Sequence, residues 1–244
     1  MSKENTSKKL IRSKSGLRIV AADENYESPF HLCEPQWIPD KEAPACTRCG
    51  IKFGFTTRRH HCRRCGQIYC SGCCDHKLDL PRMCFIDPVR VCKNCTPATL
   101  QENKFFDQQL KTLINGATFT LETGQIHSSN DILQCKLSPD HRQLLFDGVK
   151  LAPLDLITIQ ALQVDKDSVT ATINEEDEPG MRSVEIEFSV ANTGEKSTVK
   201  LATTSELEHR KAGVSWIAAM QQAFKMLQDY QAELWLNLQK EVGS

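Results

Sequence analysis

Apolar and polar positions divide the chain into stretches of different period. From Gly116 onward, Phe119 and Leu121 alternate with Thr118, Thr120 and Glu122, and Leu133, Cys135 and Leu137 with Ile132, Gln134 and Lys136. Val184, Ile186, Phe188 and Val190 alternate with Glu185, Glu187 and Ser189. A period of two is that of a half-buried strand. Turn signals at 128–131, 138–140, 147–148, 178–180 and 192–195 separate the runs. They predict about seven short strands between 116 and 203, spaced for a small barrel or sandwich. Beyond them the period changes. Trp216, Met220, Ala223, Leu227, Tyr230, Leu234 and Leu238 recur at steps of four and three, one face of a long C-terminal helix.

The first 115 residues carry no comparable pattern. Residues 1–36 are rich in Lys, Ser, Glu and Asn with short apolar pieces such as 17–22, and read as a mostly flexible tail. Residues 99–115 read as a linker or polar helix. Between them, at 37–98, cysteines stand where a core would be. The chain has 12 cysteines, and ten of them fall between Cys46 and Cys95. The opening residues lack the apolar core of a signal peptide, and no run approaches the roughly 18 apolar residues of a membrane span. The expectation is a cytosolic protein with reduced thiols, in which crowded cysteines hold metal rather than disulfides.

Four Cys-x2-Cys pairs stand in order: Cys46/Cys49, Cys62/Cys65, Cys70/Cys73 and Cys92/Cys95. Two intervening residues let both thiolates of a knuckle reach one ion at about 2.3 Å. Eight thiolates fill two tetrahedral sites with no open position, so two structural Zn2+ are expected. Metal ligation would also stabilise a segment too short for a core of its own. Spacing alone leaves open whether adjacent or alternate pairs share an ion. Cys74 directly follows Cys73; Cys73 preserves the spacing of the other pairs. Cys33, Cys84 and Cys135 read as ordinary surface or core residues.

Charge is uneven along the chain. Residues 37–98 carry 11 Lys/Arg against 5 Asp/Glu, and residues 99–244 carry 13 against 21. Eight thiolates and two zinc ions reduce the formal charge of the cysteine-rich segment to about +2. Anion binding must therefore come from charge placed locally, and the candidate is Arg58, Arg59, His60, His61, Cys62, Arg63. Guanidinium groups bind phosphate oxygens in bidentate fashion. His60 and His61 could instead ligate zinc, though eight thiolates already fill eight positions.

Trp37 with Asp40, then Arg58–Arg63, then Arg90 before Cys92 make up the pattern Trp-x-x-Asp, Arg-Arg-His-His-Cys-Arg, Arg-Val-Cys. This resembles the signature of the FYVE zinc-finger family. The resemblance implies binding of phosphatidylinositol 3-phosphate and a peripheral place on early endosome membranes. It implies interlocked zinc sites, Cys46, Cys49, Cys70 and Cys73 on one and Cys62, Cys65, Cys92 and Cys95 on the other. By the family pattern Arg59, His60, Arg63 and Arg90 face the 3-phosphate. Arg58 and His61 lie toward the 1-phosphate and the ring hydroxyls, while Asp40 accepts hydrogen bonds that orient the histidines or the ring. Phe55 and Thr56 lie at the tip of a membrane-inserting loop, with Phe53 in the core. Burying one Phe in lipid contributes about 1.5–3 kcal/mol. Protonation of the histidines is expected to strengthen binding below about pH 6.5.

Seven strands followed by a helix resemble a pleckstrin-homology-like (PH-like) fold at 116–244. The predicted whole is a two-zinc finger followed by an α+β PH-like domain. In the first two strands of that domain, 118–137, Lys136 is the only basic residue. A protein partner is therefore expected there rather than a second lipid. The order of finger and PH-like domain, with Arg82-Met83-Cys84-Phe85 and Gly116-Ala117-Thr118-Phe119, resembles FYVE-finger proteins that act as endosomal adaptors in signalling, adhesion turnover and cell migration.

The competing readings are a RING-like finger recruiting a ubiquitin-conjugating enzyme and a zinc-finger nucleic-acid binder. RING patterns usually include a histidine ligand and lack the arginine–histidine segment. The acidic C-terminal half and small corrected charge argue against nucleic acid. No nucleophile–base set and no phosphate-cradling glycine loop points to catalysis.

Overall fold

The computed structural model describes residues 8–23, 27–122, 131–166, 181–190 and 193–242, the last ten of these without their side chains. The chain forms two compact units. One comprises Met1–Glu27 and His31–Asp107, the other Ser28–Phe30 and Gln108–Ser244.

The first unit begins with a hairpin where the sequence predicts a flexible tail. Strands β1 (Lys8–Ser13) and β2 (Gly16–Ala21) pair antiparallel, with Ser13 opposite Gly16 across a two-residue turn. The hairpin does not stand alone: Ile19 N–H donates to the Cys84 carbonyl at 3.0 Å, and Ile86 N–H to that of Leu17 at 3.0 Å. The turn 84–86 therefore supplies the pairing that a two-stranded ribbon lacks in water. Apolar residues Leu10, Ile11, Leu17, Ile19 and Val20 are interleaved with Lys and Arg, which is why composition hides the strands.

The finger is built of two-residue and three-residue strands, β3 (His60–His61) with β4 (Ile68–Tyr69), and β5 (His76–Leu78) with β6 (Val89–Val91). Helix α1 (Thr96–Lys104) starts at Cys95, the last of the paired cysteines, and runs through a π-turn, Phe105–Gln109, into α2 (Leu110–Asn115). The expected linker is thus helical, and the two units divide within the π-turn. Its inward positions are structural: Thr99, Glu102 and Phe105 are buried. Glu102 accepts from Arg82 Nη1 at 2.5 Å and from Arg64 Nη2 at 2.5 Å. Arg82 is almost wholly buried, so this carboxylate neutralises a guanidinium that water cannot reach.

The second unit contains strands β7 (Ala117–Leu121), β8 (Asp131–Leu137), β9 (Gln143–Asp147), β10 (Leu154–Asp155), β11 (Ile159–Lys166), β12 (Met181–Ser189) and β13 (Lys196–Thr203). They form one antiparallel sheet in the order β10-β9-β8-β7-β13-β12-β11. Seven strands agree with the sequence reading. No ladder joins β10 to β11 among the described residues, so a hydrogen-bonded closed barrel is not seen. Helix α3 (Leu207–Val242) covers the sheet with Trp216, Met220, Ala223 and Leu227, all buried as the periodicity predicts. Trp216 stacks edge-on against Phe119 at 5.3 Å. Leu234, Trp235, Leu236 and Leu238 lie outside the residues whose side chains are described. Phe30 is fully buried in this unit, its ring 6.1 Å from that of His141.

Candidate functional site

The eight predicted ligands converge in two groups, Cys46, Cys49, Cys70 and Cys73, and Cys62, Cys65, Cys92 and Cys95. Within each group the sulfurs all lie within 4.8 Å of one another. Alternate pairs therefore share a site, and the sites interlock. Cys49 and Cys70 Sγ are 3.7 Å apart; sulfurs bound tetrahedrally to one zinc stand about 3.8 Å apart. The second group is the more enclosed. Cys92 N–H donates to Cys62 Sγ at 3.3 Å, and Tyr69 OH lies 3.6 Å from Cys65 Sγ. Hydrogen bonds from Cys65, Cys74 and Cys95 hold the Cys62 thiol far below its usual pKa, and the same bond to Cys62 pushes Cys65 up to about 11. Four sulfurs this close cannot all ionise unless a cation sits among them. The donor set fits zinc.

Arg59, His60, His61, Arg63, Arg90 and Asp40 line a single cavity of about 610 Å³, with Trp37, Ile38 and Pro39 on one wall. Each arginine is anchored by a backbone carbonyl. Arg59 Nε donates to Ala43 O at 3.0 Å and packs over Phe53 at 4.9 Å. Arg63 donates to Ser15 O at 3.1 Å and His61 O at 2.8 Å, and lies over Trp37 at 5.3 Å. Arg90 Nη1 donates to Cys74 O at 2.6 Å. Every one of these groups keeps further N–H donors beyond those bonds. Burial, then the like charge of Arg90, lowers the pKa of Arg63. Three guanidinium groups facing one cavity await an anion.

Three details differ from the sequence reading. Arg58 is exposed and is not among the residues lining the cavity. His61 Nε2 donates to Ile38 O at 2.8 Å, whereas Asp40 Oδ1 stands 3.9 Å away on a largely exposed side chain. The Ile38 carbonyl, not Asp40, orients His61, which leaves Nδ1 of the neutral ring as an acceptor. Lys14, at the turn of the N-terminal hairpin, lines the same cavity. The sequence does not single it out, because the charge-rich composition of 8–21 reads as a solvated tail; Ser13 to Gly16, a polar turn between the short apolar pieces at 10–11 and 17–20, is the signal it carries. In the loop just before Arg58 and Arg59, Phe55 is fully exposed and Thr56 is exposed, while Phe53 is partly buried against the sulfur cluster.

The second unit offers a cavity of about 460 Å³ lined by Phe146, Leu151, Leu154, Phe188 and Val190. Its wall is mostly apolar, with Asp155 the only ionisable residue among the described residues that line it. Lys136 is engaged by Asp147 at 2.5 Å.

Two interlocked four-cysteine sites beside a cluster of arginines and histidines define a FYVE zinc finger, a class that binds two Zn2+, and residues 36–101 match that family. Residues 104–232, more than half of the chain, match the family described as zinc finger FYVE domain-containing protein 21 C-terminus, and the chain belongs to that family. Curated relatives share the finger. The phosphatidylinositol-3,5-bisphosphate 3-phosphatase MTMR4 of Homo sapiens is 40% identical over 85 residues, 34% of this chain and 7% of that protein. Zinc finger FYVE domain-containing protein 16 of Mus musculus is 42% identical over 77 residues, 32% of this chain and 5% of that protein. The chain thus spans less than a tenth of the length of these relatives. The solved LM5-1 FYVE domain from Leishmania major is 41% identical, covering 28% of this chain and 81% of that domain, with a TM-score of 0.26. No helix among the described residues is long and apolar enough to cross a membrane.

Proposed function

We propose that the chain is a non-enzymatic adaptor that binds phosphatidylinositol 3-phosphate on early endosome membranes. The observation that carries this is the convergence of Arg59, His60, His61, Arg63 and Arg90 on one cavity, with an exposed Phe55 four residues before Arg59 in the chain. Arg59, Arg63 and Arg90 take the 3-phosphate with His60, since fixed guanidinium forks match phosphate oxygens. Asp40 and His61 Nδ1 accept from ring hydroxyls, and Arg58, outside the cavity, meets the lipid surface near the 1-phosphate. Lys14 adds a cation from the hairpin. Phe55 and Thr56 enter the bilayer, and the headgroup contact and shallow insertion reinforce each other.

The C-terminal unit, read as a PH-like domain, brings a protein partner to that membrane in signalling or adhesion turnover. Its antiparallel sheet under one long helix supports this reading, as does the pairing of Lys136 with Asp147, which leaves the first two strands without an uncommitted cation.

Flotation with liposomes of phosphatidylcholine, with and without phosphatidylinositol 3-phosphate, tests the lipid assignment. Wild type floats only with the phosphoinositide; Arg59→Ala loses that flotation and Phe55→Ala weakens it. Equal flotation of wild type on both liposomes would overturn the assignment. In cells, Arg59→Ala disperses endosomal puncta.

A further inference from the structure

Outside the two sulfur clusters a third set of metal-ligating atoms converges. A carboxylate oxygen of Glu27, a ring nitrogen of His31 and the sulfur of Cys84 all lie within 4.8 Å of one another. His31 Nδ1 is 3.4 Å from Cys84 Sγ and 4.0 Å from Glu27 Oε1. Nitrogen, oxygen and sulfur donors bound tetrahedrally to one zinc stand roughly 3.3–3.8 Å apart. The trio is therefore within a small side-chain adjustment of closing on an ion.

The backbone around it is fixed. Cys84 sits in the left-handed region at φ 62°, a conformation a non-glycine residue keeps only where its surroundings enforce it. Its N–H donates to Pro81 O at 2.9 Å and its carbonyl accepts from Ile19 N–H at 3.0 Å. Leu32 N–H donates to Arg82 O at 2.8 Å, which holds the next residue after His31 against the same turn. The His31 ring stacks on Phe106 with centroids 6.1 Å apart and planes 22° apart.

We propose that Glu27, His31 and Cys84 form a third zinc site, distinct from the two four-cysteine sites, with water as its fourth ligand. Thiolate, imidazole and carboxylate all belong to the donor range of zinc, and one thiolate with one carboxylate neutralises the ion. Two of the three ligands precede residue 36, where the match to the finger family begins. The site is thus built from the N-terminal segment and the turn at 81–86. An ion there ties that segment to the turn from which the hairpin hangs, and the hairpin carries Lys14 to the headgroup cavity. This link to Lys14 rests on the lipid reading; the metal site itself does not.

The metal content of the full-length chain, equilibrated at buffered micromolar free zinc, is the test. Plasma mass spectrometry against amino-acid analysis should give three zinc ions per chain, falling to two in Cys84→Ser and in His31→Ala. Glu27→Gln should weaken the third ion at least tenfold while leaving two in place. Two ions in wild type, or three in both Cys84→Ser and His31→Ala, would overturn the proposal. Should those variants fail to fold, cobalt added to wild type carrying two zinc ions decides. One equivalent should enter with the charge-transfer band of a single thiolate, and absence of that band would also overturn the proposal. If cobalt binds as expected while Lys14→Ala leaves flotation on phosphoinositide liposomes unchanged, the metal site stands and its link to the lipid site fails.

Discussion

The finger and the C-terminal unit are held together by different chemistry. In the finger's central cluster Cys46, Cys62, Cys73, Cys74 and Cys92 are buried beside just Tyr69 and Val91. In the C-terminal unit the buried set is Phe119, Leu133, Leu137, Leu144, Leu156, Val184, Ile186, Leu201 and the α3 stripe led by Trp216. Metal bonds do for the first what apolar transfer does for the second. A fold secured by metal can hold three like-charged arginines around one cavity, because its integrity does not depend on neutralising them. Removing zinc breaks this comparison most sharply. A structural zinc site in a small domain contributes roughly 10–16 kcal/mol of apparent folding free energy. A strong chelator should therefore abolish amide protection across 46–95 while strands β7 to β13 stay protected in hydrogen exchange. The first cluster, with Cys49 exposed, should release its ion before the second. Loss of protection in both units together would show that the C-terminal unit depends on the metal after all.

Single substitutions sharpen the same contrast at a smaller scale. Glu102→Ala leaves Arg82 buried without its carboxylate, and breaking a buried ion pair from one side costs about 3–5 kcal/mol. Trp216→Ala removes a fully buried ring against Phe119 and costs about 3–5 kcal/mol by transfer and cavity terms. Thermal melts followed by site-resolved exchange should place the first loss in the finger and the second in the sheet. Glu102→Gln, which keeps the shape but not the charge, should fall between wild type and Glu102→Ala if the ion pair rather than packing is what matters. A Glu102→Ala protein with an unchanged finger would mean that contacts other than the Glu102 carboxylate hold Arg82.

How far the sequence told these regions apart depended on what kind of signal each residue leaves. Paired cysteines and the Arg59 to Arg63 run are local patterns, so the zinc ligands and most of the cavity were legible directly. The α3 stripe and seven strands were legible because one face is buried along a regular period. Lys14 was not, because the apolar pieces of β1 and β2 are short and set among Lys and Arg without a regular period, and charge-rich composition reads as a solvated tail. Glu102 was not, because a buried carboxylate looks like any helix-surface Glu until Arg82 and Arg64 are seen around it. Cys84 and His31 were 53 positions apart, and no local spacing marks such a pair. Partners brought together by tertiary structure leave no period behind.

The smallest effect concerns the pH response of the cavity, and here the structure moves the expected window. Burial first, then the charges of Arg90, Arg63 and Arg58, hold the pKa of His60 below 6.5 in the free chain. His60 is therefore still neutral at pH 6.5, and the strengthening expected below about that pH is displaced. A bound phosphate opposes the arginine charges and raises the His60 pKa, so binding takes up a proton only between the free and bound values. Affinity rises as pH falls through the bound value and levels off below the free one, by about tenfold for each pKa unit between them. The fold responds with the opposite sign: a lowered native pKa means the unfolded chain takes the proton more readily, so the finger loses stability as pH falls through the unfolded value and on to the native one. The lipid phosphate complicates the readout, because its own second ionisation near pH 6 reduces its charge in the same range. Comparing wild type with His60→Gln cancels that contribution. Liposome flotation from pH 8 to 5.5 should show wild type gaining over His60→Gln as the pH falls through the bound value. Parallel curves throughout would remove His60 from the phosphate's contacts and leave the arginines to bind it alone.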